Sequence, residues 1–174
     1  MDSPPRSQET TLASRSGEAL ATIRFRPIGP ADQIMLREFH DRLSEATIRR
    51  RFHAAKPHLS QPLANRLASV DGRDAVGFVA LTTHPSPRIV GVGRYCRLDS
   101  VSAEIALVVQ DGYQGHGIGT ELMRLLIAEA RVNAITRLFA DVLPENTTML
   151  HLLFRFGKTE IRRGYGVEQV LLAI

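Results

Sequence analysis

Apolar residues recur along the chain with two different periods, which predict strands in some segments and helices in others. Ile23 and Phe25 alternate with arginines, so a strand is predicted over residues 22–28. Met35, Leu36 and Phe39 follow helical spacing, which predicts a helix over residues 31–43. The same reasoning predicts the remaining elements, which are helices over residues 44–52, 60–69, 118–132 and 146–156, and strands over residues 75–83, 89–97, 101–110, 137–142, 158–163 and 166–173.

The order of these elements predicts an α/β layer fold, in which a mixed central sheet carries helices on both faces. Residues 1–20 are rich in Ser, Thr, Pro and charge and show no clear period, so a flexible tail is expected there. One domain is then expected over residues 21–174. Gly91 and Gly93 lie inside a predicted strand and suggest a β-bulge.

Composition narrows the class of protein. Of the 174 residues, 44% are hydrophobic and 23% charged, which is typical of a globular chain. Cys96 is the single cysteine, so an internal disulfide and a tetrathiolate zinc site are excluded and a reducing cytoplasm is expected. No apolar run approaches the roughly 20 residues of a membrane helix, and the N-terminus lacks the apolar core of a secretory signal.

The net charge of +4 and the pI of about 9.8 favour an anionic small ligand, an acidic protein face or nucleic acid. Nucleic acid is disfavoured because the arginines are scattered, aromatic residues make up only 6%, and no nucleic-acid-binding motif is present. The run over residues 49–51 suits either a solvated helix face or a docking patch for an acidic protein or a phosphate. The histidines form no metal-binding pattern, so no metal is expected.

A glycine-rich segment, Gln-Gly-His-Gly-Ile-Gly-Thr over residues 114–120, lies between a predicted strand and the helix that the sequence predicts most strongly. Glycines let backbone N–H groups crowd around a ligand, and a helix N-terminus adds free donors and partial positive charge, which suits a pyrophosphate. The glycine spacing fits neither a dinucleotide fingerprint nor a Walker A loop. The residues alone leave two interpretations open, a ligand-binding loop and a glycine-rich turn that begins a core helix.

The same segment resembles motif A of the GNAT superfamily of acetyltransferases, whose pattern R/Q-x-x-G-x-G/A is matched by Gln114, Gly117 and Gly119. A second family element, an Asn that heads a helix ending in Gly, is matched by Asn146, with Leu152 and Gly157 at the family spacing. The resemblance covers residues 22–174, including the order of elements. It implies a GNAT fold in which two strands splay apart at a cleft for acetyl-CoA.

The resemblance also implies which residues bind acetyl-CoA. The strand before the loop pairs with the pantetheine arm, and the loop holds the pyrophosphate. A backbone N–H near the splayed end of that strand, at Leu107 or at Val108, stabilises the thioester oxygen. Asn146 orients the cofactor, although it suits a plain helix N-cap equally well. His116 lies within the loop and is given no chemical role of its own. The implied cofactor-binding residues are Leu107, Val108, Val109, Gln114, Gly115, His116, Gly117, Ile118, Gly119, Thr120 and Asn146.

A narrower resemblance is to the Pat-type bacterial protein lysine acetyltransferases, carried by segments such as SVDGRDAVGFVAL and AEIALVVQDGYQGHGIGTELM. It implies acetylation of a lysine in a protein such as an AMP-forming acyl-CoA synthetase. Some of those enzymes carry a fused regulatory domain. We expect none here, because only about 20 residues precede the first predicted strand.

Glu104 is the expected general base. Its apolar neighbours would desolvate the carboxylate and raise its pKa, and it matches the Glu to which the resemblance assigns this role. The alternative is an outward-facing Glu on a half-exposed strand.

No general acid is assigned. Many GNAT enzymes have a Tyr in the helix after the Asn, and Leu153 stands at that position with Phe154 beside it. Tyr113 and Tyr165 are better explained by structural or substrate-facing roles. Cys96 is expected to be a small buried hydrophobic residue.

Three functions remain open from the sequence. The first is acetyl-CoA-dependent acetylation of a protein lysine, and the second is acetylation of a small amine on the same fold. The third is a non-catalytic acyl-CoA-binding module.

Overall fold

A mixed sheet runs through the residues that the computed structural model describes, which are 8–13, 19–55, 58–164 and 166–174. Its eight strands are β1 (Gln8–Ala13), β2 (Ala19–Pro27), β3 (Ala75–Thr82), β4 (Arg88–Arg97), β5 (Ser102–Val109), β6 (Arg137–Val142), β7 (Lys158–Arg163) and β8 (Glu168–Ala173). The helices are α1 (Gln33–Asp41), α2 (Glu45–Phe52), α3 (Gln61–Ala68), α4 (Ile118–Val132) and α5 (Thr147–Phe154).

The strands lie in the order β1-β2-β3-β4-β5-β6-β8-β7. Neighbours are antiparallel except for β5 and β6, which are parallel and are connected through α4. Helices α1, α2 and α3 cover one face of the sheet, and α4 and α5 pack with the core on the other face. The predicted α/β fold with helices on both faces is therefore confirmed.

Alternating residues of β5 face the two layers of helices. Ala103 and Ile105 belong to the core under α4, whereas Val108 packs against the core under α1, α2 and α3. Glu104 therefore lies on the side of α1, α2 and α3, because successive side chains of a strand point to opposite faces.

Helix α4 approaches the sheet closely because β4 contains two glycines opposite it. A Cβ at Gly91 would lie 2.9 Å from Cγ2 of Ile118, and one at Gly93 would lie 2.9 Å from Cδ1 of Leu126. The pairing register between β3 and β4 shifts next to Gly91, so β4 does contain an irregularity at this point. The glycines thus set how close α4 lies to the sheet.

Strands β5 and β6 separate along their length. Their register pairs Ser102 with Arg137, Ala103 with Leu138 and Glu104 with Phe139. Both strands continue beyond this point, but they no longer pair with each other. The predicted splay of two strands is therefore present between β5 and β6.

The prediction of a flexible tail over residues 1–20 is wrong at 8–13 and at 19–20. Gln8–Ala13 forms β1, which pairs antiparallel with β2, and β2 begins at Ala19 rather than near Thr22. An edge strand is bonded through its backbone to one neighbour and needs no apolar face, so the polar sequence QETTLA gave little sign of it. The rest of the predicted tail lies outside the described residues. Within the described part of the chain, no helix has the length and apolar character that crossing a membrane requires.

Candidate active site

A cavity of about 760 Å³ opens where β5 ends and α4 begins, and α2 and α5 close its sides. The residues predicted to bind the cofactor all line it: Leu107, Val108, Val109, Gln114, Gly115, His116, Gly117, Ile118, Gly119, Thr120 and Asn146. The chain thus brings the strand, the glycine loop and the head of α5 to one place.

Two glycines give the loop over residues 114–120 its backbone path. Gly115 has φ +79° and Gly117 has φ +86°, which are left-handed conformations that other residues adopt only with strain. No heavy atom lies within 4 Å of the Cβ position at either glycine, so both face open space. Gly117 directly precedes α4, whose first N–H groups lack helical partners, and residues 118–120 of this helix line the cavity.

Gln114 holds the loop to the strand and to α2. Its Nε2 donates to the carbonyl oxygen of Val109 at 2.9 Å and to Oγ1 of Thr47 at 3.3 Å. This side chain therefore fixes the position of the loop, and the predicted contact of Gln114 with the cofactor stays a prediction.

Asp111 makes a second connection between the loop region and α2. Its carboxylate accepts from the N–H and Oγ of Ser44 at 3.0 and 2.7 Å, and from Oγ1 of Thr47 at 2.8 Å. Partial burial raises the pKa of Asp111, but the hydrogen bonds from Ser44 and Thr47 outweigh it and hold the pKa below its usual value. Ser44 also caps α2, since its side chain accepts from the N–H of Thr47.

His116 shows that the cavity fits a polar ligand. Its Nδ1 is buried and, among the described residues, has no hydrogen-bond partner. Buried polar atoms are nearly always satisfied, so a ligand group next to the loop would supply the missing partner. Together with the open space beside Gly115 and Gly117, this fits the phosphate-rich coenzyme that the sequence predicted.

The backbone of β5 presents a donor to the gap between β5 and β6. Gln110 N–H donates to the carbonyl of Val90 on β4, and successive N–H groups of a strand point to opposite sides. The N–H of Leu107 therefore points away from β4 and toward the gap, whereas that of Val108 points toward β4. Of the two positions that the sequence left open for the oxyanion donor, the register favours Leu107.

Glu104 does not line the large cavity. It lines a smaller pocket of about 240 Å³ together with Ala106, Cys96, Leu67 and three arginines. The expected desolvation of its carboxylate is wrong, because the side chain is exposed. The apolar residues before and after it point to the opposite face of β5, so they do not cover the carboxylate.

The two pockets meet at Arg51, which lines both of them. Burial, and to a smaller extent the nearby positive charge of Arg94, lowers the pKa of Arg51 to about 10. Glu104 and Cys96 act to raise this pKa. The guanidinium carbon of Arg51 lies 5.0 Å from the centre of the Phe52 ring. The run over residues 49–51 is therefore more than a solvated helix face, because Arg50 and Arg51 both line the large cavity.

The remaining candidates have mixed outcomes. Asn146 caps α5, its Oδ1 accepting from the N–H of Met149 at 3.3 Å, and it also lines the cavity. Leu153 is fully buried, and Phe154 is exposed, so neither reaches the cavity.

Cys96 is only partly buried and faces Glu104 across the β4–β5 register, which corrects the prediction of a buried residue. Tyr113 lines the cavity, and Tyr165 lies outside the described residues.

Sequence reasoning missed the part of the cavity formed by α5. Thr148, His151, Leu152 and Arg155 all line it. Their spacing of three and four residues places them on one face of a helix headed by Asn146, and this pattern could have identified them. Arg155 and His151 add basic groups to the part of the cavity lining that α5 forms.

Comparison with known proteins identifies the family of this chain. The model of the acetyltransferase (GNAT) family matches residues 30–157. The chain is 32% identical to Acetyltransferase PA5475 of Pseudomonas aeruginosa over 137 residues, which are 78% of this chain and 74% of that protein. It is 31% identical to Acetyltransferase Pat of Mycolicibacterium smegmatis over 145 residues, which are 82% of this chain but only 43% of that protein.

Solved structures agree with the sequence comparisons. The GNAT domain of S. lividans PAT is 30% identical and superimposes with a TM-score of 0.83, covering 97% of both chains. The PaiA N-acetyltransferase of Thermoplasma acidophilum, solved with coenzyme A, is 15% identical with a TM-score of 0.69, covering 87% of this chain and 99% of that one. The second likeness concerns the fold alone.

Proposed function

The chain belongs to the acetyltransferase (GNAT) family, and we propose that it transfers an acetyl group from acetyl-CoA to a lysine amine of a protein. The protein substrate we propose is an AMP-forming acyl-CoA synthetase or a related metabolic enzyme. The likeness to Pat of M. smegmatis and to the GNAT domain of S. lividans PAT supports this choice over a small amine.

One observation carries the proposal, namely that the same strand, β5, contains the expected general base and leads into the glycine loop. At its C-terminal end β5 leads into the glycine loop, and at Glu104 it makes its last pair with β6. At about 3.3 Å per residue, the four residues from Glu104 to Val108 span about 13 Å. A ligand bound along this strand would therefore have its phosphates at the loop and its reactive end near Glu104.

Acetyl-CoA would be bound by N–H groups and basic side chains that line the cavity. The N–H groups at the start of α4 and around Gly117 would bind the pyrophosphate, with His116 Nδ1 as a further partner. Arg50 of α2 and Arg155 at the end of α5, which both line the cavity, would add positive charge toward the phosphates. The substrate supplies an electrophilic thioester carbon and a thiolate leaving group.

Glu104 would take the proton that the lysine ammonium must lose before attack. A free lysine side chain has a pKa near 10.4 and is almost wholly protonated at pH 7, so a positioned base accelerates the reaction. The amine nitrogen then bonds to the acyl carbon, and the carbon–sulfur bond breaks with its electron pair leaving on the sulfur. The second proton of the nitrogen, released as the amide forms, is taken up by this thiolate or by water. The Leu107 N–H, which faces the gap, would stabilise the negative charge that develops on the acyl oxygen.

The proposal is tested by incubating the protein with acetyl-CoA and purified AMP-forming acyl-CoA synthetases, then mapping acetylated lysines by mass spectrometry. We expect one acetylated lysine that depends on the enzyme, with release of an equal amount of CoA thiol. Acetylation of free polyamines or amino acids, and of no protein, would instead establish a small-amine acetyltransferase. Binding of acetyl-CoA without any transfer would leave an acyl-CoA-binding module.

A further inference from the structure

The smaller pocket beside Glu104 carries an excess of positive charge. Arg51 comes from α2, Arg66 from α3 and Arg94 from β4, and all three line the pocket with Glu104 as its one carboxylate. Three guanidinium groups therefore face one carboxylate in a space of about 240 Å³, which has room for roughly eight waters at about 30 Å³ each.

Glu104 offsets the positive charge of these arginines only in part. No ion pair within 4.0 Å joins Arg51, Arg66 or Arg94 to a carboxylate among the residues that the structure describes. Arg94 donates only long hydrogen bonds of 3.4 Å, to the carbonyl of Leu67 and to Sγ of Cys96. Partly buried cations such as Arg51 and Arg94 are normally paired, so the pocket offers a place for an anion.

The pocket continues the large cavity toward the reacting atoms. Along one face of β5, Val108 lines the large cavity, and Ala106 and Glu104 line the smaller pocket. Arg51 lies at the junction of the two. An acyl group whose thioester lies near Glu104, or an amine approaching it, would therefore have its remaining atoms within reach of the arginines.

We propose that this arginine pocket, formed by Arg51, Arg66 and Arg94, binds a carboxylate of the substrate. The proposal rests on the proposed function, because it assumes that the thioester lies near Glu104. The carboxylate has two sources, the far end of a dicarboxylic acyl group such as succinyl, and an acidic side chain next to the target lysine. Guanidinium groups bind carboxylates through charge-assisted and often bidentate hydrogen bonds, and both sources offer that chemistry.

Two matched pairs of substrates separate these sources. Succinyl-CoA and butyryl-CoA have the same number of carbons and differ in one terminal carboxylate. Lysine peptides flanked by Asp or by Asn differ in the charge of the acceptor. For each pair, kcat/KM is measured by CoA thiol release, and the dissociation constant by titration calorimetry, which does not depend on turnover.

In one of the two pairs, we expect the charged member to have a kcat/KM about tenfold or more above that of its neutral partner. Hydrogen bonds to charged groups typically contribute free energy of this size. Arg66→Gln should remove most of that preference, since Arg66 is exposed and its loss leaves the core intact. Arg94→Gln is a second test, and Arg162→Gln on the exposed strand β7 is the control that should keep the preference.

The proposal is overturned if neither pair shows a preference for charge, or if the preference survives in both Arg66→Gln and Arg94→Gln. Ordinary acetyl transfer without any charge preference would refute the arginine pocket and leave the proposed function standing. Calorimetry that shows the preference without transfer of any acyl group would refute the proposed function and support the pocket.

Discussion

Glu104 on β5 and Phe139 on β6 form the last backbone pair before the two strands separate. Beyond this pair, the N–H of Leu107 points into the gap rather than to a neighbouring strand. A proton acceptor therefore lies at the point where the gap begins, and a donor lies three residues further along the same strand. A thioester and an amine need both groups at short range.

Replacing Glu104 by Gln should lower kcat by about 100- to 10,000-fold, the usual contribution of a positioned general base. The affinity for acetyl-CoA should be unchanged, since Glu104 does not line the large cavity. Transfer is followed by CoA thiol release and affinity by titration calorimetry. Glu160→Gln, on the exposed face of β7, is the matched control. Full activity of Glu104→Gln would remove this residue from the mechanism.

The sequence predicts the centre of the fold better than its edges. The bounds of α4 at Ile118 and Val132 were predicted correctly because a glycine loop and a strong apolar period mark that helix on both sides. The strand β1 was missed because its register with β2 depends on backbone pairing and leaves no apolar pattern. Local patterns therefore identified the elements on which the site is built.

The interactions that organise the site come from long-range contacts and could not be predicted. Gln114 matches a family motif, yet its partner Thr47 lies 67 residues earlier in the chain. Arg51, Arg66 and Arg94 come from three different elements, and nothing in their sequence positions shows that they surround Glu104. The expected desolvation of Glu104 failed for the same reason, since neighbours in sequence lie on the other face of the strand.

Replacing Gly117 by Ala should weaken both folding and coenzyme binding. Its φ of +86° is left-handed, so a Cβ there costs about 1 to 2 kcal/mol of the free energy of unfolding. The strained loop should also bind acetyl-CoA less tightly. Denaturant unfolding and calorimetry measure the two effects. Gly112→Ala, in the adjacent turn where φ is not left-handed and space is open, should change neither. Equal effects of the two substitutions would contradict the role of backbone conformation.

Asp111 should make stability depend on pH at the acid end. Its pKa is lowered in the folded protein from an ordinary value of 3.8, so its hydrogen bonds stabilise the fold above about pH 4, and this contribution is lost as the pH falls through the lowered pKa. Asp111→Asn should therefore lower Tm at pH 7, with a difference from the unsubstituted protein that shrinks on acidification. Asp141→Asn, at an exposed position of β6, is the control. A Tm difference that stays constant from pH 7 to about pH 3 would exclude this linkage.

The two interpretations of Asn146, a helix cap and a residue that orients the coenzyme, can be tested separately. A Ser at this position can still cap the helix but has no amide group. Oδ1 of Asn146 accepts from the N–H of Met149, so Asn146→Ala should cost about 0.5 to 2 kcal/mol of the free energy of unfolding, whereas Asn146→Ser should cost little. If the amide also orients the coenzyme in the cavity that Asn146 lines, both variants should bind acetyl-CoA more weakly to a similar extent. Urea unfolding gives the first quantity and calorimetric titration the second. An Asn146→Ser variant with unchanged affinity would show that this residue is a helix cap only.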